Sequence, residues 1–175
     1  MAVVFPTGVK AQGNIKVAFV PTVASMSAPT VAEVTAAGAL DLSCFLTAEG
    51  FSPSVDTAKG NPPRRLCTTK QYEQFGSTTY SLADLSYVVN PQGAAASSGM
   101  LAYEKLTPGT SGLFVTRYGL NARTIDFAAA QFVDVWPVTL GERLIIGDPA
   151  DEFSEFMVQQ SVIVTADRAE RVALA

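Results

Sequence analysis

The residues best equipped for chemistry are acidic, and they crowd into one part of the chain. Between residues 126 and 155 stand Asp126, Asp134, Glu142, Asp148, Asp151, Glu152 and Glu155, against a single base, Arg143. Carboxylates can perform acid/base work, hold a cation, or repel polyanions. Three readings therefore stand side by side: a solvated acidic face, an electronegative surface that rejects phosphates, and a Ca²⁺ loop at residues 148–152. The last lacks the D-x-[DN]-x-[DN]-G order and its glycine turn. The chain has no histidine, which removes Ser-His and Cys-His nucleophile pairs and most zinc sites. Thr110, Ser111 and Gly112, and the Gly/Ser stretch at 93–99, match neither a P-loop nor G-x-S-x-G. No catalytic constellation emerges: the reading is a non-enzyme with no catalytic residue, no metal site and no cofactor.

The bases are sparse. Arg64 and Arg65 form the one adjacent pair. Two bases are a poor footprint for nucleic acid; pairing with carboxylates, locally or across an interface, suits arginine's fork. A net charge of -4 likewise argues against tight binding to DNA, though not against a surface that DNA passes without sticking. Cys44 and Cys67 form no CxxC. A reduced pair of small core residues is the favoured state, with a disulfide as the alternative.

The elements that must position these residues read as strands. A hydrophobic fraction of 48% in 175 residues supports one domain with a real core. Charged residues are only 16%, so either partners cover much of the surface or Ala, Ser and Thr make it up. No run approaches the length of a membrane span, and no apolar leader follows Met1, so neither a membrane segment nor a signal peptide is expected. Residues 13–20 alternate as a strand, with Ile15, Val17 and Phe19 on one face. Thr30 and Glu33 bracket one or two helical turns in a capping box, stopped by Gly38. Residues 40–46 alternate again. Residues 47–63 hold three prolines and read as a long loop carrying Phe51, with at most a short extended piece near 51–57. Residues 63–90 read as a hairpin hinged near Gly76 and Ser77, with a phase slip at Ala83 and Asp84 that suits a β-bulge. Ser97 or Ser98 caps a helix over 98–106. Strands follow at 112–118, around 132–138 with Pro137 at an edge or bulge, at 153–165, and briefly at 168–173. Residues 1–12 and 167–175 read as terminal arms around a domain at 13–166. The class is mainly β: a sandwich or partial barrel of two antiparallel sheets with one flanking helix.

Four segments then look familiar: PTVAEVTAAGALDLSCFLTAEGF, RRLCTTKQYEQFGSTTYSLADLSYVVNPQ, LAYEKLTPGTSGLFVTRYG and FVDVWPVTLGE. In this order and spacing the chain resembles the major tail tube proteins of long-tailed bacteriophages, especially those with actinobacterial hosts. The resemblance implies a β-sandwich-like subunit that forms homo-hexameric rings, stacked into a hollow tube. Inner strands of the six subunits join in an oligomeric β-barrel around an electronegative lumen, through which DNA passes during ejection without specific binding. It implies a sheathless tail, assembly in the host cytoplasm, and contacts with a tape measure protein, a tail terminator and a distal tail protein. On that reading Glu73, Asp84, Asp126, Asp134 and Glu155 are candidates for the lumen. Val3, Val4, Phe5, Phe51, Arg64, Arg65, Val172 and Leu174 are candidates for contacts between subunits or rings. Another virion protein, such as a tail terminator or head decoration, is the runner-up. A small acidic β-domain enzyme or carbohydrate-binding module is a third reading.

Overall fold

A computed structural model describes residues 3–175; Met1 and Ala2, at the start of the expected arm, lie outside the described residues. The chain is mainly β, with a curled antiparallel sheet, a second two-stranded sheet and two short helices. The curled sheet runs in the order β2 (Leu40–Asp41), β1 (Ile15–Val20), β6 (Ser111–Tyr118), β7 (Phe132–Ile146), β8 (Met157–Val164), β5 (Leu85–Val88), with β9 (Ala169–Ala173) also pairing β7. The second sheet is β3 (Pro53–Gly60) against β4 (Gln74–Leu82).

Both faces of the curled sheet carry core. Val17, Phe19, Phe114, Trp136, Val138, Leu140, Val158 and Val162 share one face with Leu42, Leu82, Tyr87 and Leu106. Ala18, Val20, Leu113, Val115, Val133 and Val135 share the other with Val34, Phe127 and Leu174. Strict period-2 alternation marks a strand with one wet face. A strand buried on both sides, such as β1 with five of six residues buried, loses that signature. Residues 13–20 nevertheless read as one-sided from sequence, because Asn14 and Lys16 alternate with Ile15 and Val17, although Lys16 is itself buried.

The capping box forms as read. Thr30 Oγ1 accepts from Glu33 N at 3.2 Å, and Glu33 Oε2 accepts from Thr30 N at 2.8 Å, opening α1 (Val31–Val34). Donation from Ala24 N, and from the backbone N–H and hydroxyl of Thr30, holds the Glu33 carboxyl below its usual range. The flanking helix is α2 (Leu101–Lys105); no side chain caps it, because Met100 is its N-cap and Ser97 lends only its carbonyl. Pro137 lies inside the longest strand, opposite Leu113. Its carbonyl accepts from Thr165 N. The nitrogen of a strand residue points the same way as its carbonyl, so the missing donor falls between the end of β9 and the start of β8 pairing, where it breaks no ladder.

Several expectations are corrected. Residues 47–63 are not a bare loop: they contain β3, whose first residue is Pro53, a position a strand tolerates. The hairpin therefore joins β3 to β4 across residues 61–73, rather than spanning 63–90 about Gly76. Gly76 sits within β4 at its bulge, where Gly76 and Ser77 together face the single residue Ala58 between Thr57 and Lys59. The phase slip at Ala83 and Asp84 is a change of sheet, since β4 pairs β3 while β5 pairs β8. Residues 43–46 turn away from β1 after Asp41 and cover the outer edge of β5, where Phe45 O accepts from Val88 N at 2.9 Å and Gly50 O from Ser86 N at 3.2 Å. A Cβ at Gly50 would collide with the Ser86 carbonyl, so only glycine permits this approach. Both cysteines are free and exposed rather than buried, because each lies on a turn outside the core. The C-terminal arm is β9, docked in its own subunit, and Leu174 is buried there.

Candidate assembly surfaces

The β3–β4 hairpin is the part of the molecule least used by its own core. Only its root is anchored. Leu82 is buried, and the Tyr80 ring meets Trp136 edge-on with centroids 6.4 Å apart. Beyond that, both strands are almost wholly exposed. Among the described residues, neither outer edge of the hairpin is paired. Such an edge offers a row of free N–H and C=O groups to another chain.

Its two faces differ. The pairs Ser54–Ser81 and Asp56–Thr79 lie on one face, and Val55–Tyr80 and Thr57–Thr78 on the other. The first face is hydroxyl and carboxylate only, with Ser54 Oγ and Ser81 Oγ 2.8 Å apart. The second is apolar at the root and hydroxyl further out, with Thr57 and Thr78 hydroxyls 3.1 Å apart. The tip, residues 61–73, carries Arg64, Arg65 and Lys70, all exposed, beside exposed Leu66 and Tyr72. Lys59 Nζ lies 5.8 Å from the centre of the exposed Phe75 ring.

The acidic residues do not form one surface. Asp126 and Asp134 are already partnered: Asp126 lies 2.9 Å from Lys16 Nζ, and Asp134 lies 3.2 Å from Arg168 and accepts from Arg171 N at 2.8 Å. Asp84 accepts from Gln159 Nε2 at 3.3 Å, at the junction of β4 and β5. Glu73 is exposed at the foot of the hairpin tip, and Glu155 on the β7–β8 loop, residues 147–156. That loop also presents Asp148, Asp151 and Glu152 together with Phe153 and Phe156, all exposed.

Of the expected contact residues, Val3, Val4 and Phe5 are exposed on an extended N-terminal segment without strand pairing. Phe51 is not a surface group. It packs on the core, its ring 5.5 Å from that of Phe114. Val172 and Leu174 pack on the core of their own subunit. The apolar character of these three residues serves folding.

A cationic knot escaped the sequence reading. Lys16 and Arg117 lie on adjacent strands, each buried, and both face the Phe127 ring at 5.6 Å. Arg117 donates to the carbonyls of Asn121, Ile125 and Asp126 at 2.8–3.0 Å and to Gln131 Oε1 at 3.1 Å, fastening the loop between β6 and β7. Burial lowers its pKa. Lys16 bridges Asp41 and Asp126, each at 2.9 Å. Burial works to lower the Lys16 pKa, but the hydrogen bonds to the two carboxylates outweigh it and hold it above the usual value. The signal was present: each base sits in phase with buried apolar residues of its own strand. The cavity beside them, about 270 Å³, is lined by Lys16, Asp41, Asp126 and Val34 of α1. The knot holds the loop between β6 and β7 in place.

A search of curated proteins finds no match. A family model described as phage tail tube protein matches residues 4–175, nearly the whole chain. That span takes in the curled sheet, the free-standing hairpin and both terminal segments. The chain belongs to the phage tail tube protein family, and is thus a structural component of the virion tail.

Proposed function

We propose that this chain is the repeating subunit of the tail tube of a long, sheathless tail: it polymerises into stacked hexameric rings and forms the conduit for DNA ejection. The observation that supports this best is the β3–β4 hairpin. It spends eight and nine residues on strands whose outer edges pair with nothing among the described residues of the subunit. Edges of that length invite aggregation unless a neighbour covers them. Closed into a ring, each edge meets the edge of the next copy, and the six hairpins complete a barrel around the lumen.

The hydroxyl face of the hairpin, with Ser54, Asp56, Thr79 and Ser81, is the side proposed to line the conduit. Small neutral hydroxyls and a carboxylate offer DNA phosphates no cation, whereas each Lys or Arg there would add salt-dependent affinity. Glu73 and Asp84, on the same hairpin and at its root, extend that electronegative lining. Asp126 and Asp134 contribute less, since Lys16 and Arg168 offset their charge. Val3, Val4 and Phe5 are proposed to dock on a neighbouring subunit, which would remove three large exposed apolar side chains from water. Assembly in the host cytoplasm, and contacts with a tape measure protein, a tail terminator and a distal tail protein, belong to the same proposal.

Negative-stain electron microscopy of the purified protein tests it. Long hollow tubes of even width are expected. Single rings that never lengthen would favour a tail terminator instead, and monomers stabilised by a carbohydrate would favour a binding module.

A further inference from the structure

We propose that the tip of the β3–β4 hairpin docks on the β7–β8 loop of a second copy of this chain, and that this contact joins one ring to the next. The inference rests on the reading that the subunits polymerise, and it names the surfaces through which they do so lengthwise.

Two features of each surface carry it. The tip is basic and apolar. Residues 59–73 contain Lys59, Arg64, Arg65 and Lys70, a third of the 12 bases of the whole chain, against one acid, Glu73 at the foot of the tip. Beside them stand Leu66, fully exposed, and Tyr72, 71% exposed. The β7–β8 loop is the counterpart. Residues 147–165 contain Asp148, Asp151, Glu152 and Glu155 and no base, and the loop presents Phe153, 84% exposed, and Phe156, 60% exposed. Single exposed apolar residues need no explanation, but two pairs set among four like charges on each side do. Opposite potentials with apolar centres are how surfaces select one another.

The topology prevents one subunit from satisfying itself. β5 pairs with β8 so that Leu85 faces Gln160 and Val88 faces Met157. The hairpin joins β5 at the Leu85 end, and the acidic loop leaves β8 at the Met157 end. The two surfaces therefore stem from opposite ends of β5. The tip lies a further eight residues out, about 25 Å at ~3.3 Å per residue, on a hairpin whose exposure shows that it does not fold back on the body. A contact between different patches at opposite ends is head-to-tail, and head-to-tail contacts without rotation closure propagate as filaments.

Charge reversal and cross-linking test this on the full chain. R64E/R65E and D151K/E152K are each expected to lower the yield of tubes at least about tenfold, since like charges then face one another, while circular dichroism shows the subunit still folded. Combining all four substitutions in one chain is expected to restore tubes. In a C44S background, a flexible bis-maleimide is expected to link Cys67 of one copy to a cysteine placed by A150C on the next, giving a ladder of multimers that C67S abolishes. Tubes that grow normally with either reversal, or that stay lost when both are combined, overturn the docking. So do C44S/A150C chains that form tubes but give no ladder. A wild-type protein that forms no tubes at all would instead overturn the tube reading itself.

Discussion

Arg117 shows how a single side chain can organise a loop. It is 1% exposed, and its guanidinium reaches four backbone carbonyls of the β6–β7 loop, the most distant, Leu120, at 3.4 Å. Hydrogen bonds from a charged donor contribute about 1.5–3 kcal/mol each when made and leave buried acceptors stranded when lost. Arg117→Leu is therefore expected to destabilise the subunit by about 3 kcal/mol or more, read as a lower urea midpoint, with the proteolytic opening of residues 119–131 as its local signature. Asp126→Asn should cost far less, under about 1 kcal/mol, because that carboxylate is solvent-exposed and its pair with Lys16 is screened. Equal losses in the two variants would show that the ion pair, and not the carbonyl clasp, holds the loop. Tyr87 makes a similar point about burial: with its hydroxyl donating to Gln160 Oε1 at 3.2 Å, burial pushes its pKa up to about 12.

At the scale of elements, the hairpin and the sheet have different tasks. The sheet uses its strands twice, with a core on each face: β1 and β6 are buried along most of their length, and β7 is buried mainly between Val133 and Leu140. The hairpin meets that core only through Tyr80 and Leu82. Replacing residues 58–77 by a two-residue Asn-Gly turn, so that Thr57 and Thr78 still pair as a short hairpin requires, is therefore expected to shift the thermal midpoint by no more than a few degrees while abolishing tubes. A large loss of stability would show that the distal hairpin is part of the folding unit after all. The hairpin also explains why residues 51–90 were misread. PSVDTAKG shows little apolar alternation because neither of its faces is buried, and only pairing with β4 makes it a strand. Conversely, YSLADLSYV alternates strongly because Tyr80, Leu82, Leu85 and Tyr87 all reach the same core, across a switch between sheets that the pattern recorded only as a slip of phase.

For the whole molecule, polymerisation and passage make separate demands. In the proposed tube the ring edges and the axial contact must bind, while the lumen must not. Substituting Ser81 and Thr79 by lysine, on the proposed lumenal face, is expected to leave tubes intact in the microscope but slow DNA ejection, with the delay shrinking as salt rises, because each added phosphate contact is salt-dependent. Ejection at the wild-type rate would place that face outside the conduit.

Much of this protein was settled by its residues alone. The predominance of strands, the capping box at Thr30 and Glu33, the strand read at 112–118, the run read at 153–165 of which residues 157–164 form β8, and the tail tube resemblance are local or nearly local properties. Each depends on neighbours a few positions away, or on a string of segments in order. The pairing of strands was not local. Which strand covers an edge depends on partners up to a hundred residues distant, as with β1 and β6, and a register shared between remote segments leaves no mark in either one. Burial on both faces hid Lys16 and Arg117 among apolar residues. Exposure on both faces hid β3. Only the tertiary structure separated Phe51, Val172 and Leu174, which fold the subunit, from the acidic residues and the basic hairpin tip left facing solvent. The physical reason is that hydrophobicity in a sequence records that a residue avoids water, and only the packed chain decides whether its own core or another copy provides the shelter.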